Sequence, residues 1–465
     1  MLLRRFFSVF LLLWAFTAVA QQRVLSFEAF NAAVVAYHPV ARQAQNLKAQ
    51  ADAVSMLAKG AFDPYVFMES RSKTLAGTSY YNYAEMELKI PVWYGMDIVT
   101  GIENISGSNV DPEVTKGASS YLGLQMPLLK NLTLDKRRAA VLQANLLIQQ
   151  SGYEVRLALN DLLYDAQSAY WQWANAREQF VILENALQNN RSRFELVKTA
   201  FRLGDKTAMD TVEALSQLQS IELAWVQAKL ELQQQQLTAS YYLWNAQGNA
   251  VSIADDVTPE AMDPAMAKQS VTFANDSLLS YVSSHPKLQW YTIKLESARI
   301  DLRLKKQNML PSLYLKSNLL SKGYFTGNPL QNAYLQNNQQ LGLAFYAPLL
   351  QREARGEYKL SKLKLQNTEF ESASMQSALT IKIQQYINEA SSLKGQLDIL
   401  ERNYAVYSTL LQNETLRYQL GESSLFMVNS REMKALEARQ KLVSTRAKYL
   451  KNQSGLRWSA GLLQY

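Results

Sequence analysis

Along Leu162, Ala166, Ala169, Trp173, Ala176, Phe180, Leu183, Leu187, Asn190, Phe194, Val197 and Phe201, mostly apolar positions step alternately by four and three residues. That spacing is the seam of a coiled coil. The same seam returns at a constant offset in Leu397, Leu400, Tyr404, Tyr407, Leu411, Glu414 and Tyr418. After the first seam, Ala214, Leu218, Ile221, Trp225, Ala228 and Leu232 continue the spacing on a returning segment. Each half of the chain therefore predicts a helical hairpin. A helix from about Leu134 to Arg202 would be about 100 Å long at ~1.5 Å per residue, more than a compact globule holds. Gln, Asn, Ser and Lys crowd the positions outside the seam, as suits helices with water on one side.

Ahead of these helices the period changes to two. Glu85, Glu87 and Lys89 alternate with Met86, Leu88 and Ile90; Ser312, Tyr314, Lys316 and Asn318 alternate with Leu313, Leu315, Ser317 and Leu319; Leu341, Leu343 and Phe345 alternate with Gly342, Ala344 and Tyr346. Tyr65 to Thr74, Tyr94 to Ser106 and Ser119 to Gln125 also read as extended. Strands with one apolar and one polar face suit the wall of a water-filled membrane barrel, and suit a soluble sheet nearly as well. The smallest outer-membrane barrels use about eight strands. The strands of one chain fall short of that, so a barrel requires several chains. The pattern leaves open which first-half pair would cross the membrane.

The two halves share one plan. Both histidines precede proline, as His38-Pro39 and His285-Pro286, and Pro64 and Pro311 follow at equal separations. Met126-Pro127-Leu128-Leu129 matches Ala347-Pro348-Leu349-Leu350, and basic segments follow at Lys136-Arg137-Arg138 and Arg352-Glu353-Ala354-Arg355. Phe201-Arg202-Leu203-Gly204 matches Tyr418-Gln419-Leu420-Gly421. Five landmarks in one order indicate an internal repeat. The resulting plan is a leader at 1–20, a first repeat at 21–248, a linker at 249–270 and a second repeat at 271–465.

Composition narrows the function. Arg4 and Arg5, an apolar run and Ala18 and Ala20 have the layout of a secretory signal peptide. Beyond it no apolar stretch is long enough to span a bilayer as a helix, so entry into a membrane would use strands. With no cysteine, the chain has no disulfide, thiolate metal site or cysteine lipid anchor. The net charge of +8 is spread along the chain, without the concentrated patch or motif of a nucleic-acid-binding protein. His38 and His285 occupy equivalent places before proline and read as repeat landmarks rather than catalysts. No phosphate loop, metal-ligand spacing or nucleophile elbow appears, so neither an enzyme nor a cofactor is expected.

On the duplicated plan and the two Leu-Gly turns, the mature chain resembles the outer-membrane efflux protein family, the TolC-like channels. That resemblance implies a mainly α fold with a small β part. Tandem long hairpins would form an α-barrel tunnel, and each chain of a homotrimer would give four strands to a shared twelve-stranded transmembrane β-barrel in outer-membrane lipid. It implies a passive conduit in a tripartite efflux or secretion system, with a long periplasmic extension from the outer membrane. Arg202, Leu203, Gly204, Gln419, Leu420 and Gly421 would dock on a periplasmic adaptor (membrane fusion) protein, and through it on an inner-membrane transporter. Asp210 matches a tunnel-gate aspartate of the family; Met427 stands at the equivalent place in the second half, so a second acidic ring is missing or moved. The rival reading is a periplasmic coiled-coil scaffold or adaptor, which would normally carry one hairpin between β-rich domains.

Overall fold

The computed structural model describes residues 23–111, 115–263, 278–323 and 338–463. The leader at 1–20 and the linker's last part, 264–270, lie outside the described residues. In chain order the elements are β1 (Arg23–Leu25), α1 (Phe27–Tyr37), α2 (Pro39–Lys59), β2 (Tyr65–Leu75), β3 (Thr78–Pro91), β4 (Asp97–Ser106), β5 (Gly117–Pro127), α3 (Lys136–Arg202), α4 (Ala208–Ser240) and β6 (Val257–Pro259). They continue as α5 (Leu278–Ser284), α6 (Pro286–Gln307), β7 (Ser312–Lys322), β8 (Gln339–Tyr346), α7 (Arg352–Gln419) and α8 (Leu425–Ser459). The chain divides into two units, each drawing on both halves of the sequence: Met1–Ala44, Arg156–Val282 and Leu379–Tyr465 form one, Gln45–Val155 and Ser283–Ala378 the other. Among the described residues no helix is long and apolar enough to cross a membrane.

In the second unit the strands form one sheet in the order β2-β3-β4-β5-β7-β8, every neighbour antiparallel. The resemblance implied four strands per chain; the described residues hold six in this sheet. The reason is that both first-half candidate pairs form full-length ladders, β2 with β3 and β4 with β5. Along one face run Met68, Met86, Leu88, Ile90, Ile98, Ile102, Leu122, Leu315, Leu341 and Leu343. The other face carries Glu69, Glu85, Glu87, Lys89, Glu103, Tyr121, Lys316 and Asn318. Registered pairs such as Glu69↔Glu85, Glu85↔Glu103 and Gln125↔Lys316 keep these sets apart. A one-residue slip of any strand would exchange its faces.

Two close approaches fix the polar face. Tyr121 lies over Gly101, where an added Cβ would come within 2.6 Å of its ring. Its hydroxyl sits 2.8 Å from carboxylate oxygens of both Glu85 and Glu87. Below the sheet, Asp135 starts α3 by accepting from Arg138 N at 2.8 Å. The Arg138 guanidinium also donates to the carbonyls of Asn131 and Leu132, at 2.6 and 3.0 Å.

The first unit is helical and its core follows the seam. Leu162, Ala166, Trp173 and Ile182 of α3 pack with Phe30 and Val34 of α1 and Val443, Ala447 and Leu450 of α8. Tyr170 is fully buried; its hydroxyl donates to Leu25 O at 2.8 Å and accepts from Glu260 N at 3.0 Å. That ties the short parallel β1–β6 pair to α3. Both histidines prove to be helix caps. The His38 Nδ1 accepts from Val40 N at 3.2 Å, and the His285 Nδ1 accepts from Lys287 N at 3.0 Å. Proline after each histidine supplies the preset φ of a first helical residue, and the imidazole accepts a hydrogen bond from an orphan amide.

Candidate functional site

Both long hairpins turn at matching sequences, and the turns are built the same way. At the first, α3 ends at Arg202, Gly204 takes φ +85°, Gly204 N donates to Phe201 O at 3.0 Å and Asp205 N to Ala200 O at 2.9 Å. In the second, α7 ends at Gln419, Gly421 takes φ +79°, Gly421 N donates to Tyr418 O at 3.1 Å and Glu422 N to Arg417 O at 2.9 Å. This crossed pair of bonds closes a helix through a left-handed residue, a conformation that costs glycine nothing sterically. No atom lies within 4 Å of a Cβ added to either glycine, so their environment is open.

The returning helices are capped differently. Thr207 and Asp210 form a reciprocal box, Asp210 N donating to Thr207 Oγ1 at 3.2 Å and Thr207 N to Asp210 Oδ2 at 2.9 Å. These bonds hold the Asp210 carboxyl below the usual carboxylate range. Ser424 caps α8 by accepting from Met427 N at 3.3 Å, while the neighbouring Ser423 donates to the buried Glu414. Arg431 and Arg417 also approach Glu414, at 3.8 and 4.0 Å, which accounts for a carboxylate on an otherwise apolar seam.

Residues far apart in sequence meet here. The Lys206 ammonium stands 4.4 Å from the Tyr418 ring centroid. Below it Val197, Ala214 and Leu425 pack together against Phe194 and Tyr418. Arg202, Leu203 and Gly204 share one turn, Gln419, Leu420 and Gly421 the other, and Asp210 lies at the start of α4. Leu203 and Leu420 are both 74 % exposed. Two further apolar side chains are exposed in the first turn of the returning helices, Met209 at 74 % and Phe426 at 63 %. Sequence reading passed over this pair. The available signal was an apolar residue off the seam at the second position of each returning helix, at one offset in both repeats.

A sheet with one mainly apolar face, together with two long hairpins ending in matching turns, is the fold of the TolC-like outer-membrane channels. Among solved structures the chain is similar to the outer membrane protein VceC of Vibrio cholerae, with TM-score 0.64 and 16% identity over 93% of this chain and 95% of that one. It is similar to the CmeC outer membrane channel of Campylobacter jejuni, with TM-score 0.65 and 14% identity over 93% of this chain and 85% of that one. The open state of the Neisseria gonorrhoeae MtrE outer membrane channel also matches, with TM-score 0.65 and 14% identity over 94% and 89%. No protein-family model and no curated protein sequence matches the chain.

Proposed function

We propose that this protein is the outer-membrane channel of a tripartite efflux or secretion system. Three copies would join their sheets into a transmembrane barrel and their hairpins into a periplasmic tunnel. The carrying observation is the pairing, in one chain, of a sheet with one mainly apolar and one polar face with two long hairpins whose turns repeat bond for bond. The likeness to solved outer-membrane channels over nine-tenths of the chain supports this reading. The channel is a passive conduit, and the energy for transport comes from an inner-membrane transporter.

The two tips are the docking points for a periplasmic adaptor. Leu203 and Leu420 on rigid turns, with Met209 and Phe426 on the returning helices, offer exposed apolar knobs, the kind of small anchor that a helical partner tip can bury. Asp210 is the residue we assign to the tunnel entrance, its carboxylate held in place and ionised by the cap.

Insertion of a bulky residue pair between Leu203 and Gly204 tests the docking role. Efflux should be lost while the amount of protein in the outer-membrane fraction stays unchanged. Unaltered efflux would refute docking through this tip, and recovery of the native protein in the soluble periplasmic fraction would refute the channel reading itself.

A further inference from the structure

The two repeats differ most in length between the prolines that bracket their strands. Both β2 and β7 start directly after the proline that follows each His-Pro helix, and both β5 and β8 lead into Pro-Leu-Leu. The interval from Pro64 to Pro127 exceeds that from Pro311 to Pro348 by about one hairpin. Among the described residues the hairpin β3–β4 is therefore an insertion without a counterpart in the second half.

This insertion is part of the wall. It lies in the middle of the sheet, with β2 on one side and β5 on the other. Its strands have 14 and 10 residues, the length a tilted membrane strand needs. Met86, Leu88, Ile90, Ile98 and Ile102 carry the apolar face across it, with Thr100 the polar residue set among them. Its lower turn is anchored, since Asp97 meets Arg137 at 2.8 Å and Lys89 at 3.4 Å. At Gly95 (φ +78°) a Cβ would stand 2.9 Å from the Arg138 guanidinium.

We infer that three copies of this chain close a barrel of eighteen strands, in which β8 of each copy pairs with β2 of the next. The inference rests on the channel reading proposed above. Six strands alternate in direction, so β8 and β2 run oppositely and can pair as antiparallel neighbours. Both are now bare edges: β8 is exposed at every position, β2 at all but one of its 11. Long unprotected edges of this kind require a partner. The internal repeat also supplies the register. Within the chain β5 meets β7 with Gln125 opposite Lys316, and the repeat-equivalent residues on the two free edges are Tyr346 and Glu69. Both belong to the polar face, as a common barrel interior demands.

Strands ~4.8 Å apart and tilted by ~40° give a backbone diameter of about 36 Å for eighteen strands, against about 24 Å for twelve. The hairpin thus widens the outer mouth by about half and roughly doubles its area. Such a mouth suits bulkier cargo than a twelve-stranded one.

The natural absence of cysteine makes the test direct. One double variant, Glu69→Cys with Tyr346→Cys, reports β8 against β2; a second, Val99→Cys with Tyr346→Cys, reports β8 against β4, the edge left if only four strands join. Under oxidation the first should give a covalent trimer and the second none. Electron cryo-microscopy of the unaltered detergent-purified protein should count eighteen strands in the barrel wall. Twelve strands in a trimer, or linkage through the second pair, would overturn the inference and leave the channel reading intact. A purified protein that is not a trimer would overturn both.

Discussion

Arg193 on α3 and Glu432 on α8 form a bidentate pair, Nη1 to Oε2 at 2.6 Å and Nη2 to Oε1 at 3.2 Å, with Asn429 accepting from the same guanidinium. Glu432 is 8 % exposed and the Arg193 side chain 22 %, so the pair locks one hairpin to the other in a largely water-excluded contact. Removing one partner strands a charge in a dry contact. Arg193→Met alone should lower unfolding stability by about 3 kcal/mol. Joint replacement, Arg193→Met with Glu432→Leu, should cost less than either single change, as a double-mutant cycle by denaturant unfolding would show. Additive losses would mean that the two side chains act independently.

The glycine turns separate backbone cost from contact. With open space around both Cβ positions, Gly204→Ala and Gly421→Ala should each cost only the left-handed backbone penalty, about 1 kcal/mol. Leu203→Asp and Leu420→Asp leave the backbone alone, so thermal stability should hold while efflux falls. Efflux assays beside melting curves distinguish the two kinds of change.

Acid should loosen the first tip before the second. The Asp210 carboxyl is held below its ordinary value of 3.8 by bonds that exist only in the folded cap. Its contribution is therefore fully present above that value and is lost as pH falls through the lower folded value. The protection of amides at the start of α4 against hydrogen exchange, corrected for the intrinsic slowing of exchange in acid, should fall as pH drops below 3.8. Thr207→Ala should cost about 1 kcal/mol at neutral pH and remove most of this acid dependence.

His38 gives a milder dependence nearer neutrality. Burial lowers its pKa from the ordinary 6.5. The rings of Tyr241, Tyr242 and Trp244 surround it with centroids 5.8, 5.9 and 6.0 Å away. Below pH 6.5 the unfolded chain takes a proton that the folded site resists, so stability should decline on acidification by at most about 1.4 kcal/mol per pH unit. His38→Asn keeps an acceptor for the Val40 amide and should flatten that slope in urea melts taken from pH 7.5 to 5.5, at about constant ionic strength.

The helices were the most legible part of the sequence, because their signal accumulates over many turns. The seam from Leu162 through Trp173 to Leu187 is buried as its spacing required except at the half-buried Phe180, and the expected start near Leu134 falls two residues before the observed Lys136. Phe201 departs from the pattern, 44 % exposed, since the helix ends one residue later and leaves it no facing partner. The sheet was harder to read. Two-residue alternation shows that a segment has two faces, yet says nothing of its neighbour, so the place of β3 and β4 between β2 and β5 was hidden. Short-range chemistry at the tips was legible for Gly204 and Gly421, whose turns need a left-handed residue. It was ambiguous for Ser423 and Ser424, where the choice of cap depended on Glu414 nine residues away from Ser423.

The inserted hairpin also says how such a wall can change size. A hairpin returns to the edge it left, so adding one preserves the up-and-down order of every later strand and keeps both chain ends on the same side. A single strand would reverse the long helix that follows it. In a threefold assembly the aperture therefore grows by discrete increments, one hairpin per subunit, while each long helix keeps the direction in which it leaves its strand. Bore and tunnel can then diverge independently in evolution, with a strand pair as the smallest heritable step.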